Sequence, residues 1–300
     1  MRRKQKLPEL LAPAGDFESL IAAVSAGADA VYIGGSRFGA RAYAKNFSPE
    51  QMAQAVRYAH MFGVRVYVTL NTLIYDKETE EALAYAQSLY EMGVDALIIA
   101  DIGMAALIRE RIPKLELHAS TQMGVHNTAG VDFAARLGCR RVVLARECSE
   151  SDINKIVENS IAECEVFVHG ALCVCHSGQC LFSSMVGGRS GNRGECAQPC
   201  RLPYNNGTSY PLSLRDLSLA DYVTSLISSG VSSLKIEGRM KSADYVYSVV
   251  SIYRSLLDAG KNAEKRDRER LYEIFSRGGF TDGYFTERIN GKMKIGRAHV

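Results

Sequence analysis

Met92-Gly93-Val94-Asp95-Ala96-Leu97-Ile98-Ile99-Ala100-Asp101 reads as a helix end, a stop and a buried strand in one short stretch. Gly93 falls where a helix closes on a left-handed residue, a conformation that costs glycine little. The apolar run after it ends on a carboxylate. The same junction returns at Ala26-Gly27-Ala28-Asp29, Leu137-Gly138-Cys139-Arg140 and Ser229-Gly230-Val231-Ser232. Helix, glycine and strand in repetition describe an α/β chain with a parallel sheet.

Working outward from that junction, strands are expected at 9–13, 30–34, 65–71, 96–101, 115–120, 141–146, 165–170 and 233–238. Amphipathic helices lie between them, for example over 49–62, 78–92 and 149–159. Ser48-Pro49-Glu50-Gln51 is a capping box with proline at the first helical position, and Ser149-Glu-Ser-Asp152 resembles a second. Eight strands, each followed by a helix, predict a closed eight-stranded parallel β/α barrel of the TIM type over residues 1–260. A doubly wound open sheet is the alternative, and the strand count favours the barrel. Barrel strand ends converge on one face, where active sites are built. Polar residues gather at those ends: Asn71, Asp101, His118 to Gln122, Arg146, Glu147, His169, Glu237 and Arg239.

The 300 residues are 47% hydrophobic and 23% charged, which excludes a disordered chain. No stretch reaches the roughly 18 apolar residues of a membrane span. The basic start Met1–Lys6 is followed by a run too short and too proline-broken for a signal sequence, so a cytoplasmic protein is expected. A net charge of +3 permits a nucleic-acid partner without requiring one.

One connection breaks the period. Residues 171–217 show no clear strand or long helix, far beyond the about 2–6 residues of an ordinary βα loop. The segment is rich in glycine and needs an anchor. Of the eight cysteines, Cys173, Cys180, Cys196 and Cys200 fall within it. In a chain without an export signal, clustered cysteines suit metal or catalysis rather than disulfides. Paired Cys-x-x-Cys knuckles of zinc ribbons are missing, so four thiolates on one loop favour an iron–sulfur cluster. Zinc and reduced structural thiols remain the other readings.

His169-Gly-Ala-Leu-Cys173, Ser177-Gly-Gln-Cys180, Gly188-Arg-Ser-Gly-Asn-Arg-Gly194, Cys196-Ala-Gln-Pro-Cys200-Arg201 and Lys235-Ile-Glu-Gly-Arg239 resemble the signature of peptidase family U32, the collagenase-like group. Leu10-Leu-Ala-Pro-Ala-Gly15 and Ser120-Thr-Gln122 extend the likeness over nearly the whole chain. The resemblance implies an RNA hydroxylase that adds oxygen to C5 of a pyrimidine, either a tRNA wobble uridine or a 23S rRNA cytidine. It implies a 4Fe-4S cluster on Cys173, Cys180, Cys196 and Cys200, and prephenate as co-substrate. The Gly-Gly-Arg-Ser-Gly-Asn-Arg run looks closest to the ribosomal-RNA branch.

For such chemistry, Arg146, Arg201 and Arg239 are candidates to grip a dicarboxylate. His118, Glu147, His169 and Glu237 are candidates for proton transfer, with His169 equally suited to donate to a cluster sulfur. Asn71 and Gln122 are candidates to read a base edge. Arg189 and Arg193 lead the expected RNA contacts, with Arg201, Arg215 and Lys241 behind them. Tyr43 and Tyr204 are weaker candidates to stack on a base. The peptidase alternative lacks His-Glu-x-x-His and Gly-x-Ser-x-Gly; it rests on the family's name. A non-enzymatic, metal-stabilised RNA-binding module is a third reading. Residues 261–294 are read as the start of a C-terminal extension, cut short, and 295–300 as a non-native tail.

Overall fold

A computed structural model describes residues 7–41 and 45–297. Tyr43 and the segments 1–6 and 298–300 lie outside the described residues. Seven parallel strands follow one another: β1 (Glu9–Pro13), β2 (Ala30–Gly34), β3 (Arg65–Leu70), β4 (Ala96–Ile99), β5 (Glu116–Ala119), β6 (Cys139–Val143) and β7 (Glu163–Gly170). After an excursion through β8 (Ser209–Leu214) and β9 (Asp216–Ser218), β10 (Ser233–Ile236) pairs with β7 on one side and β1 on the other. The eight-stranded parallel barrel is thereby closed, as the strand count required.

Helices α1 (Phe17–Ser25), α2 (Pro49–Met61), α3 (Thr79–Glu91), α4 (Ile102–Arg111), α5 (Thr128–Arg136) and α6 (Glu150–Asn159) cover the outside. Both expected capping boxes form, at Ser48/Gln51 and at Ser149/Asp152. The junction glycines Gly27, Gly93, Gly138 and Gly230 all adopt φ between +79° and +91°. The main hydrophobic core lies between strands and helices, and inside the barrel only a small apolar group remains: Leu11, Ala30, Tyr32, Tyr67, Ala96 and Ile98.

Much of the remaining barrel interior is charged. Arg141 reaches Glu9 at 2.6 Å, Glu163 at 2.8 Å and Glu165 at 3.3 Å, while Lys235 Nζ donates to Glu165 at 2.9 Å. Tyr67 Oη donates to Glu9, and Arg65 closes over the same carboxylate. Such a network is affordable only because every charge has a partner.

The cysteine excursion is more structured than the sequence suggested. It holds the short helix α7 (Phe182–Gly187) besides β8 and β9. Helices α8 (Val223–Ser229) and α9 (Ala243–Ala259) flank β10. Beyond them, α10 (Lys265–Ile274) leads to β11 (Phe280–Thr281), which pairs with β9, and β12 (Lys294–Arg297), which pairs antiparallel with β8. Elements within residues 261–297 therefore pack on the barrel and brace the excursion. Among the described residues no helix is long and apolar enough to cross a membrane.

Candidate active site at the barrel mouth

The C-terminal ends of the strands open into a chamber of about 410 Å³. Cys173, Cys180, Cys196 and Cys200 all line it, and so do Asn71, Gln122, Arg146, Arg201, Glu237 and Arg239. The excursion after β7 thus folds back over the mouth and carries its thiols to the same space as the strand-end side chains. All eight cysteines are unpaired. Backbone N–H groups of Phe182 and Gln198 donate to the sulfurs of Cys180 and Cys196, at 3.4 and 3.3 Å. Burial raises the Cys200 thiol, Arg201 opposes that, and Cys173, Cys196 and Cys180 push it further up, so the four sulfurs lie within electrostatic reach of one another. Among the described residues no three His, Cys, Asp or Glu side chains already stand in the geometry of a single metal ion.

Charge in the chamber is lopsided. Arg41, Arg146, Arg201, Lys235, Arg239, Lys241 and Arg277 line it, against one carboxylate, Glu237. Burial pushes the Glu237 carboxyl up, but Arg41, Arg146, Lys235 and Arg239 outweigh it and hold the group below its usual range. Glu237 is therefore ionised, suited to accept a proton rather than give one. Arg146 pairs with it at 3.0 Å and lies over the Phe167 ring at 4.0 Å, leaving its Nε buried without a partner among the described residues. Arg239 donates to Thr69 at 2.9 Å and Asn46 at 2.6 Å, and its Nε also has no partner among the described residues. Gly34 makes that placement possible, because a Cβ there would come 2.1 Å from the Arg239 guanidinium. Burial lowers Arg239 to about 10, still charged at neutral pH. Lys241 falls to about 8 through burial and the repulsion of Arg277 and Arg201.

Lys235, Arg41 and Arg277 were not singled out from sequence. Lys235 is 4% exposed and forms the floor, 4.5 Å over Tyr32 and 5.4 Å over Phe167. Its signal was the alternation along Ser233-Leu-Lys-Ile, which sends an unusual lysine inward.

Several expected residues stand elsewhere. His118 is fully buried inside the barrel, bonded to Glu116 at 2.8 Å and edge-on to Tyr67. Burial lowers its pKa despite Glu116, so it is neutral and away from the chamber lining. His169 also fails to line the chamber. The register slips between Lys235 and Ile236 on β10, so that Phe167 and His169 oppose adjacent residues and β7 carries one extra. Such a bulge re-aims a side chain. His169 packs among Phe280, Tyr253 and Tyr245, with Nδ1 3.5 Å from the Tyr253 hydroxyl, and burial lowers it to about 3. It is not a proton shuttle at neutral pH.

Glu147 accepts from both N and Oγ of Ser177 and so ties the cysteine loop down. Asn71 is spent on Ala40 N at 3.0 Å and Ser120 Oγ at 3.4 Å. Arg201 binds Ser213, Leu214 O and Leu172 O, pinning the loop while it faces the chamber. Arg193 forks onto Glu78 at 2.6 and 2.8 Å and lies over Tyr75. Arg189 is exposed and donates to Glu195 O. Tyr204 donates to Pro199 O and is part of the loop's packing.

The sequence profile of peptidase family U32 matches residues 15–294. The chain belongs to that family. Among its relatives is the 23S rRNA 5-hydroxycytidine C2501 synthase of Escherichia coli (strain K12), 45% identical over 260 aligned positions, with 84% of this chain and 39% of that protein covered. Another is tRNA hydroxylation protein P1 of Bacillus subtilis (strain 168), 40% identical over 269 residues, 85% of this chain and 64% of the relative. A third is named collagenase, from Porphyromonas gingivalis (strain ATCC BAA-308 / W83), 34% identical and matched over 92% of this chain and 73% of its own length. The chain thus spans about two fifths of the first U32 relative and just under two thirds of the second.

Proposed function

We propose that this U32 chain is the catalytic barrel of an RNA hydroxylase that modifies a pyrimidine at C5, with an iron–sulfur cluster on Cys173, Cys180, Cys196 and Cys200 and a dicarboxylate such as prephenate as co-substrate. The observation that carries the reading is one chamber lined by four thiols and seven cations, with a single carboxylate between them. The names of the Escherichia coli and Bacillus subtilis relatives speak of RNA hydroxylation, one on rRNA and one on tRNA.

The donor set fits the cluster. A single zinc ion with Zn–S near 2.3 Å needs four sulfurs drawn tightly together. In a four-iron cluster each thiolate takes its own iron, which suits sulfurs spread around a chamber wall, and N–H donors to sulfur are the usual means of tuning it. When bound through all four cysteines, the cluster would supply electron transfer beside the substrate. The chain's own side chains do the rest. Arg239 and Arg146 supply guanidinium charge on the chamber wall for carboxylate oxygens, Lys235 supplies charge at the floor, and Glu237 is the proton acceptor.

A peptidase finds less support. Burial, Cys180 and Cys173 push the thiol of Cys175 upward, the opposite of an activated nucleophile. The test is iron and acid-labile sulfide per chain after anaerobic purification, in wild type and Cys180→Ser. About four of each in wild type, lost in the variant, is the expected result. Stoichiometric zinc without sulfide would overturn the proposed cluster.

A further inference from the structure

Gln122 borders two cavities. One is the mouth chamber; the other is an open pocket of about 380 Å³ on the same face, lined by Ile102, Met123, His126 and Phe133, with Gln179 of the cysteine loop at its edge. The two differ in electrostatics. Seven cations line the chamber, whereas among the described residues no Lys, Arg, Asp or Glu lines the pocket.

The pocket is built and unfilled by the chain itself. Ile102 and Phe133 are about half exposed, and the Phe133 ring has no aromatic neighbour among the described residues. His126 is held in place: its Nδ1 lies 2.8 Å from Gly124 O, and its ring meets His176 edge-on at 5.4 Å. The Gln122 stem packs on Gly178, where a Cβ would come within 2.9 Å of Gln122 Cγ. The side-chain amide of Gln122 has no hydrogen-bond partner among the described residues. The pocket therefore combines a flat ring, a fixed imidazole, apolar walls and one unspent amide. At about 380 Å³ it is at the small end of ligand pockets, which run to roughly 1,000 Å³.

We propose that this pocket receives one unpaired nucleobase of the RNA, next to the nucleotide that enters the mouth chamber. The inference rests on RNA being the substrate. A neutral planar base stacks on aromatic side chains and shows its polar edge to amides, while its phosphates seek cations. The uncharged pocket and the cationic chamber divide those two demands, and Gln122 joins them.

The probe is a fluorescently labelled single-stranded pyrimidine RNA of nine nucleotides, with a series carrying one abasic site at each position in turn. Phe133→Ala should weaken the intact RNA by about 5- to 100-fold, the range for one lost base stack. One abasic position should weaken wild type by a similar factor and leave Phe133→Ala unchanged. Iron content and dicarboxylate affinity should stay as in wild type. Should Phe133→Ala fold poorly, His126→Ala gives the same comparison. Equal RNA affinity in wild type and a folded variant, or abasic and side-chain penalties that simply multiply, overturns the pocket assignment. A wild-type chain that binds none of the probes overturns the RNA reading and, with it, this inference.

Discussion

Replacing Glu165 by Gln removes the carboxylate that forms a direct ion pair with Lys235. Glu165 is wholly buried, 2.9 Å from Lys235 and 3.3 Å from Arg141. Burial alone would raise its carboxyl, but Lys235 and Arg141 outweigh that and bring it to about 2. Arg141 keeps Glu9 and Glu163 in the variant, whereas Lys235 loses its direct ion pair and keeps only the longer-range attraction of Glu237. Breaking a buried pair from one side costs about 3–5 kcal/mol. With an unfolding entropy of about 2.1 cal/mol/K per residue, that corresponds to a Tm lower by about 5–8 °C at pH 7. The pH dependence has a definite sign. A depressed carboxyl contributes stability that is full above its unfolded pKa, near 4.3, and is lost as pH falls through the folded value. The gap between wild type and Glu165→Gln should therefore be constant from pH 7 to about 5 and shrink from about 4.3 toward 2. Thermal melts followed by circular dichroism across that range provide the check. A variant within 1 °C of wild type at pH 7 (an illustrative tolerance of about the precision of a melt) or a gap that persists unchanged toward pH 2 would refute the pairing.

Further outcomes follow from the chamber and its loop. Arg239→Ala should weaken prephenate binding by roughly 10- to 100-fold with little loss of iron, since a charged hydrogen bond is worth about 1.5–3 kcal/mol; unchanged binding by calorimetry would remove Arg239 from that role. Lys241 loses its charge near pH 8, so affinity for a dianion should fall between pH 7 and 9 in wild type and stay flat in Lys241→Arg, and a flat wild-type profile would count against it. Gly178→Ala places a Cβ 2.9 Å from Gln122 Cγ at φ +83°, and should reduce iron retained after dialysis; full retention would show that the loop adapts. Arg193→Ala cuts the fork to Glu78 and should speed proteolysis within residues 171–217, measured by limited digestion and mass spectrometry.

Sequence carried the architecture because its signals were local. Gly93 and its three counterparts stop helices through their own φ, and Ser48 and Ser149 cap helices within four residues of themselves. The four cysteines were equally legible as a cluster, since one glycine-rich segment holds them all. His169 was misplaced because strand alternation holds only while the register does, and one extra residue on β7 turns it onto Tyr253. His118 sat on the inward face as alternation required, but depth along the strand decides between floor and mouth, and Glu116 holds it low. Arg193 looked like an RNA contact until Glu78, 115 residues earlier, proved to be its partner. Long-range pairing of this kind leaves no trace in spacing.

The role proposed for this U32 barrel is the hydroxylation of an RNA pyrimidine. It is tested most directly by nucleoside mass spectrometry of rRNA and tRNA from cells lacking the gene, complemented with wild type or Cys180→Ser. The account predicts that a 5-hydroxypyrimidine disappears on deletion, returns with wild type and stays absent with Cys180→Ser. An unchanged 5-hydroxypyrimidine content after deletion, or full restoration by Cys180→Ser, would contradict it.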